Sequence, residues 1–370
     1  MAESDAIEQT QRLRVAYLSD PNAYARALLR MRALQDLGHQ VWHIPTVPLK
    51  PGSVGHVPLP LWRKIALKLG FHLDVTGAGR ALAALARRQP LDLIWVDKGM
   101  SVQAGALRAA KAAMGAKALS FSEDDMALPH NRSRRWVRAL DAYDLVVTTK
   151  IANIEGGELE ALGARRVCYV TQAFDPHQHF PVPMDETTRQ AFGGDLSFIG
   201  WCEEDRARSI HALAKAGLSV RVWGPGWQGK LDHPNVRIEG RWVVNTDAAL
   251  DYSKTLAASK IGLGFLRKLN RDQHTSRTLE IPACGSLLLA ERTPVHLAMF
   301  QEGVEAEFFA SDEELVAKAR YYLDHEDERR KVAQAGYERC LRDYSSVQQM
   351  ARILTELAQA GLPTAGSDAP

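Results

Sequence analysis

The sequence predicts an α/β protein of two successive domains, each a parallel sheet covered by helices on both faces. Three observations predict it. Short apolar runs alternate with helix-period stretches along most of the chain, and strands separated by helices pair in parallel and bury both faces. The length of 370 residues is enough for two domains at roughly 100–200 residues each. The rhythm breaks once, at residues 174–194 (FDPHQHFPVPMDETTRQAFGG), where three prolines and two closing glycines replace periodicity.

Taken in order, Arg12–Ser19 reads as a buried strand. Asn22–Leu37 reads as a helix whose Leu28, Met31, Leu34 and Leu37 form one stripe that stops at Gly38. Gln40–Ile44 is a second strand, and Leu91–Val96, Ala118–Phe121, Leu145–Val147 and Val167–Val170 continue the series. The first domain therefore takes residues 1–173, with 174–194 as the linker. A second series fills 195–345, with strands Asp195–Gly200, Ser219–Trp223, Val236–Glu239, Lys260–Phe265 and Ser286–Ala290. Its helices are Asp205–Ala216, Thr246–Leu256 and Ser276–Ala283. No convincing sequence repeat relates the two series, and the expectation is two Rossmann-like domains facing each other. From Ser311 the pattern is helical, opening on an S-x-x-E capping box of Ser311 and Glu314. In the last helix, within 346–362, Val347, Met350, Ile353, Leu354 and Leu357 share one face. That stripe would be wasted on a free tail, so the helix is expected to return to the N-terminal domain. Residues 363–370 (PTAGSDAP) read as disordered.

Composition narrows the function classes. Lys plus Arg number 46 and Asp plus Glu 44, a balance that excludes a basic protein coating a polyanion; no nucleic acid partner is expected. The four cysteines (Cys168, Cys202, Cys284, Cys340) are far apart, with no CxxC. This argues against a disulfide scaffold or structural zinc and fits a reducing, cytoplasmic setting. The opening MAESDAIEQTQ is acidic and has no apolar core of a signal peptide. The turn after the first strand, Ser19-Asp20-Pro21-Asn22-Ala23, has no glycine. A dinucleotide turn needs glycine so that the backbone can approach a pyrophosphate, so NAD or FAD on the first sheet is argued against. No GxxxxGK[ST] is present either.

The most informative stretch is Gly262–Gly285, GLGFLRKLNRDQHTSRTLEIPACG. It starts at the carboxyl end of an expected strand, where open α/β sheets place ligands. Arg267, Lys268 and Arg271 supply cations, and Thr275 opens a helix whose first N–H groups suit an anion. Arg277 lies in the first turn and Glu280 one turn further. A diphosphate on the cations, with a carboxylate on ribose hydroxyls, accounts for the arrangement; the alternative is a solvated charge cluster on a loop.

This run, with RTPVH after it, FQEGVEAEFFASDEEL and GYERCLRDYSS, resembles the CgeB-like branch of group 1 glycosyltransferases, best over roughly 195–345. The resemblance implies a GT-B fold. It implies a nucleotide-diphosphate sugar as co-substrate, bound mainly by the C-terminal domain, an acceptor bound by the N-terminal domain, and no metal or other cofactor. Glu280 matches the family's ribose-binding glutamate, and Arg277 and Thr278 match the phosphate-side turn before it. The family often has a Glu-x7-Glu pair; here the earlier position is Asp272, whose shorter side chain leaves the usual sugar or catalytic role open. The acceptor implied is a glycan, a lipid-linked molecule or a small molecule. Within the fold the alternative is a non-hydrolysing nucleotide-sugar epimerase, and outside it a non-catalytic nucleotide-binding protein.

Other candidates follow from strand ends. Gly200-Trp201 and Trp223-Gly224-Pro225-Gly226-Trp227 are tight turns beside aromatics. They could pack on the nucleotide base or be domain-edge packing, and Trp223 and Gly224 are taken as donor-binding candidates. In the N-terminal domain Asp20, Asp97 with Lys98, and Glu123-Asp124-Asp125 follow strands. A general base for an inverting transfer could come from Asp20 or Asp124, the alternative being helix N-caps; His130 is a further candidate. Residues 59–70 (LPLWRKIALKLG) place Leu61, Trp62, Ile65 and Leu69 on one helical face and Arg63, Lys64 and Lys68 on the other. Such a helix either packs on its own domain or lies on the inner face of an anionic membrane. The basic run Arg132–Arg138 could bind an acidic glycan or lipid phosphate, against a default of a solvated helix face.

Overall fold

The structure, a computed structural model, describes residues 12–22, 25–49, 60–246, 249–359 and 361. The expected first domain, residues 1–173, ends two residues beyond the observed division after Thr171, but the expected linker 174–194 is not what the chain builds. One unit runs to Thr171 and resumes at Ser346; the other is Gln172–Ser345.

The first unit holds six parallel strands: β1 (Arg14–Ser19), β2 (Gln40–Pro45), β3 (Leu93–Asp97), β4 (Lys117–Ser122), β5 (Leu145–Thr148) and β6 (Val167–Tyr169), in the order β2-β1-β3-β4-β5-β6. Alternate residues serve opposite faces because a strand has period two. Ala16, Leu18, Ile94, Val96 and Ala118 meet Leu82, Leu107 and Trp136 from one layer of helices. Val15, Tyr17, Leu93, Trp95, Leu119 and Phe121 meet Ala33 and Leu34 of the helix Arg26–Asp36, and Met350, Ile353, Leu354 and Leu357 of the helix Ser346–Ala358. The terminal helix thus returns to the first unit, as its apolar stripe predicted. The Gln349 amide also bonds the Thr171 carbonyl, and Arg166 pairs with Glu356 at 3.1 Å.

The second unit repeats the architecture with β7 (Gly194–Ile199), β8 (Val220–Trp223), β9 (Val236–Glu239), β10 (Ser259–Gly264), β11 (Leu287–Glu291) and β12 (Glu307–Phe309), ordered β12-β11-β10-β7-β8-β9. β12 had no counterpart among the expected strands: unlike the equally short β6, which lies in the unbroken apolar run Val167–Val170, it opens on Glu307. Each sheet reverses its winding once, between β1 and β3 and between β7 and β10, and ligand crevices form at the carboxyl ends of strands at such points.

Residues 174–194 belong to the second unit. Phe174 is fully buried and its N–H bonds the Tyr344 carbonyl at 3.2 Å; Glu186–Phe192 is a helix, and Gly194 already starts β7. Prolines erase periodicity without preventing packing, which is why this segment reads as a linker. Ser311 accepts from the Glu314 N–H at 3.3 Å as expected, but the Glu314 carboxylate turns to the Ala310 N–H and to Arg292. The expected signal-free start and the 363–370 tail lie outside the described residues. Among the described residues no helix is long and apolar enough to cross a membrane.

Candidate functional site

In the second unit, the crevice position between β7 and β10 gathers two arginines. Arg206 enters from the helix Glu204–Lys215 after β7, and Arg277 is the first residue of the helix Arg277–Ala283 after β10. Each guanidinium carbon lies 5.6 Å from the centroid of the same Phe198 ring. Arg206 is only 5% exposed; Nη1 donates to the Trp201 carbonyl at 3.1 Å and lies 3.5 Å from Glu203. The Nε atoms of Arg206 and Arg277 are both buried without a hydrogen-bond partner. Burial lowers the Arg206 pKa, and the neighbouring Arg277 lowers it further. Two cations with spare donors, crowded in a partly dry place, gain from a bound dianion, which offsets their repulsion and satisfies both donors.

The loop cations proposed from sequence are elsewhere. Arg267 is exposed and pairs with Glu203 at 3.4 Å, and Lys268 is exposed and pairs with Asp205 at 2.6 Å. They tie the β10 loop to the start of the Glu204–Lys215 helix. Asp272 closes that loop, accepting from the Asn270 amide at 2.9 Å and the Arg267 N–H at 3.4 Å, while Arg271 takes a left-handed φ of 47°. Asp272 is therefore a turn residue here. The helix start offers few donors, because the N–H groups of Thr278, Leu279 and Glu280 bond the carbonyls of Thr275 and Ser276.

Thr278 is also committed. Its hydroxyl oxygen accepts from the Thr275 N–H at 3.0 Å and sits 2.9 Å from His296 Nε2. His296 Nδ1 is 2.6 Å from the Glu291 carbonyl, which fixes the proton on Nδ1 and makes Nε2 the acceptor. Burial pushes the His296 pKa down to about 4, so the ring is neutral. Glu280 is 4% exposed. Its Oε2 accepts from Tyr252 at 2.5 Å and Ser276 at 3.1 Å, and Oε1 faces His179 Nε2 at 3.8 Å. A carboxylate so held is pre-aimed rather than mobile.

Trp223 is fully buried, stacked on Phe192 at 6.2 Å, with Arg221 and Arg241 over its ring; it is core, not a base platform. Gly224 has φ +124°, and a Cβ there would stand 2.3 Å from the Gly200 carbonyl oxygen, so its glycine serves close strand-end packing. Trp201 and Trp242 of this unit face solvent as an edge-to-face pair at 5.8 Å. Arg206 and Trp242 were missed from sequence. Arg206 had a readable signal: it shares the stripe of Ser209, Ile210 and Leu213, where a charge is out of place.

In the first unit a pocket of about 610 Å³ opens at the carboxyl ends of β1, β2 and β3. Asp20, Asp97, Lys98, Glu123 and His130 line it, with Ala66, Leu67 and Phe71 as an apolar wall. Arg30 grips Asp97 through two bonds of 2.7 and 3.0 Å and also bonds Glu123, which Arg26 holds at 2.9 Å. Burial alone would push the Glu123 carboxyl up; Arg26 and Arg30 outweigh it and bring it down to about 2. A carboxylate that acidic is a poor proton acceptor. Lys98 and Gly99 both have positive φ, and a Cβ on Gly99 would meet Val96 Cγ1 at 2.3 Å. This tight turn aims Lys98 at Asp124, 2.5 Å away, and Asp124 is not among the residues lining the pocket. Asp20 does line it, accepting from the Asn22 amide at 2.6 Å. Among the described residues no three His, Cys, Asp or Glu side chains come together to hold a metal ion.

Residues 206–355 match a family model described as glycosyl transferase-like. No curated protein matches the chain in sequence. Among solved structures, the Anabaena HepE protein in complex with UDP and glucose is 13% identical, covering 94% of this chain and 100% of its own, with a TM-score of 0.57. Sucrose-phosphate synthase from Thermosynechococcus elongatus is 12% identical over 95% and 100%, with a TM-score of 0.62. A glycosyltransferase from Rickettsia africae is 10% identical over 94% and 98%, with a TM-score of 0.63. The fold is the two-unit, doubly wound GT-B type, and the segment that carries Arg206, Arg277 and Glu280 is glycosyl transferase-like in sequence.

Proposed function

We propose that this protein is a glycosyltransferase that moves a sugar, a hexose in the simplest reading, from a nucleotide diphosphate to an acceptor hydroxyl. The observation that carries the reading is the pair of buried Arg206 and half-buried Arg277, whose Nε atoms are both buried without a partner, inside the glycosyl transferase-like segment. In this reading the pair holds the diphosphate. When the bond between the sugar's anomeric carbon and the diphosphate oxygen breaks, the leaving oxygens gain charge beside cations already in place. This protein cation pair fills the role a metal would otherwise have, which is the basis for proposing metal independence.

Glu280, aimed by Tyr252 and Ser276, receives the ribose hydroxyls, and Trp201 with Trp242 offers faces for the base. The acceptor enters the first unit's pocket. Its hydroxyl bonds to the anomeric carbon and gives up its proton to Asp20, because Glu123 is too acidic and Asp97 is bound by Arg30. A cytoplasmic setting, argued from the cysteines, belongs to the proposal; all four are free thiols.

The test is thermal-shift binding of UDP, GDP, dTDP, ADP and CMP sugars, since a ligand of the folded state raises apparent stability. An acceptor-free incubation with the best binder follows. Stabilisation by a nucleotide sugar, lost in Arg277→Ala, with at most slow hydrolysis supports transfer. Conversion of the sugar nucleotide to an epimer without acceptor would replace it with the epimerase reading. If no nucleotide stabilises the protein, the reading fails.

A further inference from the structure

The helix Leu61–Lys68 carries its hydrophobicity on the wrong side for a soluble surface helix. Its inner residues, Ala66 and Leu67, line the first unit's pocket, whereas Leu61 is 74% exposed, Trp62 59%, Ile65 51% and Leu69 58%. Those four fall on one stripe at steps of 3.6 residues per turn, and Lys64 and Lys68, both exposed, border it. The expectation that this face packs on its own domain is therefore not met.

After the helix, Phe71 joins Ala66 and Leu67 in walling the pocket. Phe71 is also exposed, and the exposed Arg134 sets its guanidinium 5.0 Å from the Phe71 ring and bonds the Gly70 carbonyl through its N–H at 3.3 Å. The basic run noticed in the sequence at Arg132–Arg138 is thereby joined to the end of the helix through Arg134. A helical stripe of exposed Leu, Trp and Ile side chains rimmed by cations marks an interaction surface. Its chemistry is that of interfacial membrane helices: Trp and aliphatic side chains for the boundary of headgroups and acyl chains, Lys and Arg for anionic phosphates.

We propose that this face docks on an anionic lipid bilayer, with Leu61, Trp62, Ile65 and Leu69 entering the headgroup boundary and Lys64, Lys68 and Arg134 against lipid phosphates. The inner side of the same helix walls the pocket, so docking would bring that pocket within about one helix diameter, ~10 Å, of the bilayer.

The test is co-sedimentation of the full chain with vesicles of phosphatidylcholine alone and of phosphatidylcholine with phosphatidylglycerol. Wild-type protein should pellet with the anionic vesicles, less as salt rises. Trp62→Ser with Ile65→Ser should lower the partition coefficient roughly tenfold or more, and Lys64→Glu with Lys68→Glu should lower it on anionic vesicles alone. These side chains are exposed, so unfolding midpoints should not move, and nucleotide affinity, measured separately, should stay at the wild-type value. Wild-type protein that stays in the supernatant overturns the proposal, and so does a Trp62→Ser, Ile65→Ser variant that pellets as before. A concentration-dependent dimer abolished by that variant, without vesicle binding, would assign the face to a second copy of the chain instead. No readout here uses sugar transfer, so failure of the enzymatic reading and failure of docking are told apart.

Discussion

Truncation after Ser345 should unfold the first unit, although it removes nothing from that unit's own sheet. Met350, Ile353 and Leu357 are fully buried and Leu354 nearly so, all against β1, β3, β4 and β5. At about 1.5–3 kcal/mol per buried side chain, these four contribute roughly 6–12 kcal/mol. An unfolded chain that already buries part of this surface lowers the figure by about 10–40%. What remains is still comparable with the whole stability of a domain, about 5–15 kcal/mol. The bond from Gln349 to Thr171 and the Arg166–Glu356 pair go as well. A milder version is Leu357→Ala, expected to cost about 2–5 kcal/mol because the site is enclosed and cannot collapse easily. The assay is urea unfolding followed by tryptophan fluorescence, with Trp95 and Trp136 buried reporters in the first unit, together with nucleotide binding as the reporter of the second. Leu357→Ala should lower the first unit's midpoint and leave nucleotide affinity near wild type. A midpoint unchanged in Leu357→Ala, or a truncated chain that melts like the full one, would refute the reasoning.

Arg206→Ala and Arg277→Ala should each weaken nucleoside-diphosphate affinity by about 10- to 150-fold in calorimetry, the loss of a charged hydrogen bond of about 1.5–3 kcal/mol. Lys268→Ala, which breaks only an exposed pair, should change it by less than about fivefold; the reverse ranking would return the diphosphate to the loop. Glu280→Gln should lower the affinity for a ribonucleotide and erase its preference over the 2′,3′-dideoxy analogue, and a preserved preference would remove the ribose role. Asp20→Asn should lower kcat much more than it raises the KM for the acceptor, checked by steady-state kinetics. For Glu123, a folded-state pKa of about 2 against the ordinary 4.5 means its contribution is complete above about pH 4.5 and is lost as pH falls towards 2. At about 1.4 kcal/mol per tenfold, Glu123→Gln should cost about 3 kcal/mol near neutrality, with the gap to wild type closing in acid unfolding curves below pH 4.5.

Eleven of the twelve strands among the described residues were legible because a buried parallel strand is a short apolar run between helical periods, and that pattern is local. The missed β12 opens on Glu307, and that charge breaks the apolar run by which the equally short β6 was read. The returning helix was legible for the same reason: five apolar residues at helical spacing demand a partner, and its partner is the first sheet. The segment 174–194 was misread because proline content reports the loss of regular structure, not the loss of packing, and only Phe174 in its pocket shows the difference.

The site divides along the same line. That ligand chemistry would gather after β10 followed from the order of strands and cations along the chain. Which cations face the site did not, because Arg267 and Lys268 are neighbours in sequence to the right strand yet pair outward with Glu203 and Asp205. Arg206, seventy-one residues before Arg277, reaches it only because β7 and β10 lie side by side. Trp223 and Trp201 illustrate it again: both lie at the carboxyl end of a strand, and one is core while the other is exposed. The sequence by itself determined that both sheets are parallel and doubly covered, since periodicity is written residue by residue. Which charge is buried, which aromatic is free and which helix face stays bare were decided by tertiary structure. The reason is that burial depends on what other elements bring to a side chain, and no local pattern contains that.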